Sequence, residues 1–343
     1  MKRVTLSDVA RDVGVHHSTV SRALKNHLGI PEKTKTKIFA AVQKLGYVPD
    51  PHLSALAAYK NSQRPVGFVA NLAWITNFPT EGGWRENPHF LAYYEGAKTR
   101  AAELGYGLEI FWLRSLGASG KSPSHTLSHR GIRGLLFCPQ PSPGMKIELD
   151  WKLFTPIGFG YTLASPAIHN VALDHFRSTQ KLVRELHALG YRRPRLFLSH
   201  ASDVRVNYAW SAAYHSAMQE LALPHCDVIY MPNLDPSGLV QAVKKHKPDV
   251  LLATRGWAQQ ALLYLPKQGL AIPQSIGVAA VNAALSDTDL GGVLELGHLV
   301  GSHGVDMVTA MLQRGELNIP SHIKHNVTDG EFRIGKTLRD IRT

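Results

Sequence analysis

The sequence predicts an all-α N-terminal unit of three short helices, followed by a much larger α/β core built on parallel sheets in two lobes. Three observations carry this expectation. In the first 48 positions apolar residues recur at helical spacing in three short stripes broken by glycines. From Val66 onward, short β-branched or aromatic runs alternate with helical patterns to the end of the chain. The basic charge is gathered at the N-terminus rather than spread evenly. At 343 residues, with 44% hydrophobic and 19% charged content, the chain is globular and suits two or three units with real cores.

In the first helix Leu6, Val9, Ala10 and Val13 follow the i, i+3, i+4, i+7 spacing, and Thr5 with Asp8 three residues on can cap it. Gly14 supplies a turn. The second helix directs Val20, Ala23 and Leu24 inward and leaves His17, Ser18, Ser21, Arg22 and Lys25 as one polar stripe. A third runs from about Pro31 to Leu45, with Ile38, Ala41, Val42 and Leu45 as its apolar face and Gly46 as its stop. A helix, a glycine turn and a second helix presenting small polar and basic residues is the geometry that seats a recognition helix in a major groove.

Charge points the same way. Residues 1–60 hold ten Lys/Arg against four acids, half of the net +12 of the whole chain. Such a field attracts polyanions, nucleic acid or an anionic membrane surface, unless it is only a solvated face. After Tyr47, prolines at 49, 51 and 65 bracket an Ala/Leu-rich segment too short to be a stable isolated helix. This gives an expected division into a headpiece (1–48), a hinge (49–64) and a core (65–343).

In the core, strands are expected at "VGFVANL", "GLEIFWL", "GIRGLLFC", "PIGFGY", "NVALD", "PRLFLSH", "DVIYM", "DVLLAT" and "IGVAAV". Helices are expected at "NPHFLAYYEGAKTRAAELG", 174–189, 206–221, 236–246 and 257–268.

Other chemistries lack a supporting constellation. Cys138 and Cys226 stand far apart without a ligand pattern and read as buried thiols. "GASGKS" resembles a phosphate loop, but Ser115 stands where its first glycine belongs and Pro123 follows Ser122, so it reads as a loop. No His-Glu-x-x-His or Gly-x-Ser-x-Gly occurs. No catalytic residues, metal or cofactor are therefore expected. No run approaches eighteen apolar residues, and "MKRVTLSDVA" has no apolar segment behind its basic residues, so neither a membrane span nor a secretory signal is expected and the cytoplasm is the default compartment.

The literal residues go further. "VTLSDVARDVGVHHSTVSRALKN" followed by "KTKTKIFAAVQKLGYVPD" closely resembles the DNA-binding headpiece of the lactose/galactose repressor family of bacterial transcription regulators. The resemblance implies that His17, Ser18 and Arg22 reach base edges, where Arg can bond a guanine bidentately. His16 at the helix entry is expected to cap or to contact phosphate. Leu6, Ser7, Thr19, Asn26, Lys33 and Thr34 match positions that usually meet phosphates. Leu56, with Ala57 behind it, matches the hinge leucine that wedges into the minor groove. The chain departs from the family at Leu53-Ser54, where Ala-Arg is usual, and Pro51 precedes them.

"RGIRGLLF", "HALGYRRPRLFL", "KPDVLLAT" and "QGLAIPQSIGVAAV" are similar to the family's periplasmic-binding-protein-like core, two doubly wound lobes closing on a small molecule. The resemblance implies interleaved lobes, the first of about 65–165 and 297–325, the second of about 166–296 and 326–343. Sugar-responsive members place an Arg where this chain has Trp210, ahead of Ala213-Tyr214. They have Asn-Asp at Thr254-Arg255, and Gly-x-Asp-Asp at Ala280-Val281-Asn282-Ala283. An unmodified sugar is therefore disfavoured. Phe159, Tyr161, Trp210, Arg255 and Asn282 are the candidate effector residues. Either Arg255 pairs with an anionic effector such as a sugar acid or phosphorylated metabolite, with the aromatic residues as a stacking wall, or the cleft is degenerate and Arg255 bonds a neighbouring acid. The expected function is a sequence-specific regulator, a repressor, acting as a homodimer or pair of dimers on a pseudo-palindromic operator. The competing classes are a cytoplasmic solute-binding protein and a metabolic enzyme on a two-lobed scaffold.

Overall fold

The computed structural model describes residues 4–24, 29–47, 68–118, 122–232 and 235–342. The hinge, including Leu56 and Ala57, and Asn26 lie outside the described residues.

The headpiece consists of α1 (Leu6–Val13), α2 (His17–Leu24) and α3 (Glu32–Leu45). Thr5 and Asp8 close a reciprocal capping box: the Thr5 N–H donates to Asp8 Oδ2 at 2.9 Å, and the Asp8 N–H to Thr5 Oγ1 at 3.4 Å. Gly14 stops α1 at φ 74°, a left-handed conformation that a side chain resists. Val9, Val20, Ala23 and Ile38 are completely buried where the three helices meet. The polar stripe of α2 is what remains outside.

The core begins with β1 (Ala70–Thr76), α4 (Pro88–Glu103), β2 (Tyr106–Trp112), α5 (Leu113–Ala118), α6 (Pro123–His129), β3 (Gly134–Phe137), β4 (Met145–Lys146), β5 (Thr155–Phe159), β6 (Leu163–Ser165) and β7 (His169–Leu173). It continues through α7 (His175–Ala188), β8 (Pro194–Leu198), α8 (His200–Arg205), α9 (Ala209–Glu220), β9 (Ile229–Tyr230), α10 (Pro236–His246), β10 (Val250–Ala253), α11 (Arg255–Tyr264), β11 (Gly277–Ala283) and β12 (Gly291–Leu294). It ends with α12 (Gly297–Arg314), β13 (His325–Thr328) and β14 (Glu331–Arg333).

Two six-stranded sheets result, ordered β13-β7-β5-β3-β1-β2 and β14-β12-β11-β10-β8-β9. The first is wholly parallel; in the second only the edge strand β14 runs antiparallel. The central strands are buried along their length because helices cover both faces of each sheet.

The crossings between lobes differ from the expected boundaries. The chain leaves the first lobe after Leu173 rather than at 165/166, because the buried run His169–Leu173 pairs with both β5 and β13. It re-enters between Leu294 and Gly297. The last crossing falls between Thr328 and Glu331 rather than at 325/326, since β13 still belongs to the first sheet. The helix expected at 206–221 begins only at Ala209; a separate short helix, α8, ends at Arg205, and between them Asn207 and Tyr208 adopt φ 55° and 60°.

Helices α4 and α12 touch backbone to backbone. A Cβ on Gly301 would fall 1.9 Å from the Tyr93 carbonyl oxygen, and one on Gly96 would fall 2.0 Å from that of His298. This close approach sets His89 and Tyr93 of α4 beside the return crossing.

Candidate nucleic-acid interface and interlobe cleft

On the headpiece, His16, His17, Ser18, Arg22 and Lys33 are exposed, as is Ser7, while Leu6, Thr19 and Thr34 are half-buried. His16 caps the start of α2: its Nδ1 lies 2.8 Å from Ser18 Oγ and accepts from the Ser18 N–H at 3.4 Å. The ring of His16 sits against that of His17, 4.1 Å between centroids. The neighbouring acids are occupied elsewhere, Asp12 by Lys44 at 2.7 Å and Asp8 by Arg11 at 3.2 Å. Among the described residues Arg22 and Lys33 have no acidic partner. The exposed face of α2 therefore presents an uncompensated guanidinium beside imidazole and hydroxyl groups, the donor set that reads guanine and contacts phosphate.

Between the lobes lies a cleft with an outer chamber of about 420 Å³ and an inner one of about 220 Å³, which share Asn87, His89, Phe90, Arg205, Thr254 and Asn282. Arg255 and Asn282 line the outer chamber, and Tyr161, Trp210 and Asn282 the inner. Phe159 does not reach it. Its ring is buried in the first-lobe core against Trp74 and Tyr93, at 5.3 and 5.7 Å, because β5 directs it onto α12 beside Gly304.

The acid that would satisfy Arg255 comes from its own lobe. Its Nε donates to Asp287 Oδ2 at 2.6 Å and its Nη2 to Oδ1 at 2.8 Å, while its backbone N–H donates to Asn282 Oδ1 at 2.8 Å. Burial opposes ionisation of Asp287, yet the Arg255 hydrogen bonds and the Ala284 N–H hold its carboxyl below the usual carboxylate range. Arg255 is thereby paired with an acid of its own lobe while still lining the outer chamber.

The other arginine of the cleft, Arg205, is one that sequence reasoning missed. From α8 of the second lobe it crosses the cleft, donating from Nη1 to the Pro141 carbonyl at 2.9 Å and from Nη2 to the Gln140 carbonyl at 3.0 Å in the first lobe. No carboxylate pairs with it among the described residues, and burial lowers its pKa from the ordinary arginine range. Phe90 lies under the guanidinium, 5.7 Å from ring centre to Cζ.

Further polar groups line the cleft with it. Glu295, at the return crossing, is 5% exposed, accepts from the Tyr93 hydroxyl and lies 3.2 Å from His89 Nδ1. The other nitrogen of His89 faces Asn282 at 3.4 Å, linking the lobes a second time. Burial, then the Glu295 charge, push the Tyr93 hydroxyl well above its usual range. His175 is buried against the edge of Trp210, and burial lowers its pKa, keeping it neutral. Among the described residues His175 Nδ1 and Trp210 Nε1 have no hydrogen-bond partner. Among the described residues no group of three or more His, Cys, Asp or Glu is placed to hold a metal ion, and no helix is long and apolar enough to cross a membrane.

A basic helix-turn-helix unit on a two-lobed ligand-cleft core defines a DNA-binding transcription regulator. The pattern of the family described as "Bacterial regulatory proteins, lacI family" matches residues 5–50, and that of the "Periplasmic binding protein-like domain" matches residues 183–330. The sucrose operon repressor of Escherichia coli is 26% identical over 292 residues, covering 80% of this chain and 82% of that one. The lactose operon repressor of Escherichia coli strain K12 is 25% identical over 207 residues, covering 60% of this chain and 53% of that one. A solved transcriptional regulator CelR–cellobiose complex superposes with a TM-score of 0.58 at 16% identity, covering 98% of this chain and 100% of that one. The chain thus carries a LacI-family helix-turn-helix domain followed by a periplasmic-binding-protein-like domain. That family is regulatory, not enzymatic.

Proposed function

We propose that the protein is a repressor that binds a pseudo-palindromic operator as a homodimer, each headpiece reading one half-site with His17, Ser18 and Arg22. Leu6, Ser7, His16, Thr19, Asn26, Lys33 and Thr34 position the headpiece on phosphates, and Leu56 with Ala57 wedges the minor groove. The observation that carries this reading is the exposed Arg22 on a helix whose acidic neighbours are already paired. DNA as partner places its action in the cytoplasm. Selection of bound duplexes from a random pool by the full-length protein near physiological salt tests it: enrichment of a two-fold-symmetric site supports the reading, and recovery of only asymmetric sites contradicts it.

The effector is a small anion in the interlobe cleft, and an unmodified sugar is disfavoured. Arg205 supports this, because a half-buried cation without a carboxylate partner among the described residues is complementary to an incoming negative charge. Glu295, the acid of the inner chamber, already serves Tyr93 and His89. Since Arg205 joins both lobes, an anion there shifts their relative pose and, through it, the hinge.

A further inference from the structure

The inner chamber of the cleft is lined by many polar side chains, but most are spent on one another. Glu295 accepts from the Tyr93 hydroxyl and faces His89 Nδ1, and the other nitrogen of His89 faces Asn282 Nδ2. Asn282 Oδ1 accepts from the Arg255 N–H. Thr162 Oγ1 accepts from the Gln140 N–H at 2.7 Å, and the Ser202 hydroxyl donates to the Ser199 carbonyl at 2.8 Å. These groups line the chamber with their main hydrogen-bonding capacity already used inside the protein. A ligand hydroxyl buried among them would leave water without gaining a full set of partners.

Arg205 is the exception. Among the described residues that line the chamber it is the one arginine or lysine. With two N–H groups spent on the Gln140 and Pro141 carbonyls, the guanidinium retains three of its usual five donors. Phe90 covers a face of it, 5.7 Å from ring centre to Cζ, while those donors lie in its plane.

Much of the remaining wall is carbon. The rings of Phe90, Tyr93, Tyr161 and Trp210 line the chamber together with Pro139 and Val206. Trp210 Nε1 is itself buried, so the indole offers the chamber carbon rather than its N–H. An apolar protein cavity of about 150 Å³ holds benzene. The inner chamber, at about 220 Å³, has room for one ring and a carboxylate.

We propose that the effector is a compact monocarboxylate bearing a single aromatic ring and held within the inner chamber, its carboxylate on Arg205 and its ring among Tyr93, Tyr161 and Trp210. This rests on the anion reading of Arg205 given above and narrows it. A polyhydroxylated or phosphorylated acid would bring hydroxyls or a second charge that the chamber does not answer. Burial of the ring and its contacts with the aromatic wall supply the affinity.

Isothermal titration of the full-length protein with acetate, benzoate, gluconate and inorganic phosphate tests this. Benzoate is expected to bind at least tenfold more tightly than acetate, and Arg205→Met to weaken benzoate at least tenfold. Thr254 lines the chamber and its side chain makes no capping hydrogen bond, so Thr254→Phe adds bulk there at little cost to the fold. That variant, or Tyr161→Ala as a second that trims the wall, is expected to bring the benzoate-to-acetate ratio at least threefold closer to one; circular dichroism confirms folding. An unchanged ratio in both overturns the placement in the inner chamber. Arg205-dependent binding of gluconate or phosphate, with benzoate no tighter than acetate, overturns the aromatic ligand and leaves the anion reading standing. Benzoate binding indifferent to Arg205→Met overturns the proposed orientation. Absence of Arg205-dependent binding by all four probes overturns both readings.

Discussion

Arg255 and Asp287 form a two-pronged ion pair at the mouth of the cleft, and the carboxylate is almost fully buried while the guanidinium is a quarter exposed. Asp287 also accepts from the Ala284 N–H at 2.9 Å and from Gln259, so it organises the loop after β11 as well as its cation. Asp287→Asn is expected to cost about 2–3 kcal/mol, at or below the lower limit for a fully buried broken pair because Arg255 retains solvent contact.

The pH dependence of that loss has a defined sign. Asp287 is held below its ordinary 3.8, so its contribution is complete above that value and is lost as pH falls through the lower folded-state pKa. The difference in Tm between the parent and Asp287→Asn should stay constant from pH 7.5 to 5 and narrow only below about pH 4. Narrowing already between pH 7 and 5 would assign the dependence to a histidine instead.

Arg22 and Lys33 are expected to separate in DNA binding. Arg22→Ala should weaken operator binding by about 1–3 kcal/mol and leave affinity for random duplex largely unchanged. Lys33→Ala should weaken both alike and lower the slope of log affinity against log salt by about 1. Fluorescence anisotropy over a salt series on both duplexes distinguishes them, and equal losses for Arg22→Ala on the two would remove it from base readout.

Two glycine substitutions should move stability in opposite directions. Gly301→Ala sets a methyl 1.9 Å from the Tyr93 carbonyl oxygen and forces α12 from α4. It is expected to cost about 2 kcal/mol or more despite the better helix propensity of alanine. Gly256, on α11, has open space at its Cβ position, so Gly256→Ala should be neutral or stabilising by up to ~1 kcal/mol. Urea unfolding of both variants provides the comparison.

The headpiece was legible in sequence because its signals are local. Thr5 and Asp8 lie three residues apart, and Gly14 and Gly46 mark helix ends at φ 74° and 68°. The two lobes of parallel sheet in the core followed from alternation, but the cleft did not. Arg205 meets carbonyls some sixty residues earlier in the chain, and it reaches them from a helix that ends at an unexpected break. The expected helix at 206–221 began after Arg205 and left α8 unforeseen, and the family register drew attention instead to Trp210, which lines the inner chamber while packing on the second-lobe core. For Arg255, the motif showed the departure from the family but not the loop that returns Asp287 to it. Phe159 had the right residue type on the right strand; the side of the strand it occupies was fixed by Gly304 in α12, far away in sequence.

Thr328 ends the outermost strand of one sheet and Glu331 begins the outermost strand of the other, with only Asp329 and Gly330 between. So short a link spans no more than about 10 Å. The other two crossings leave β7 and β12, each the next strand in from that same edge. The lobes are thus bound like the covers of a book along a spine formed by β7, β13, β12 and β14. They can swing but not part, and a small rotation at the spine becomes the largest displacement at the fore-edge, where β2 and β9 lie.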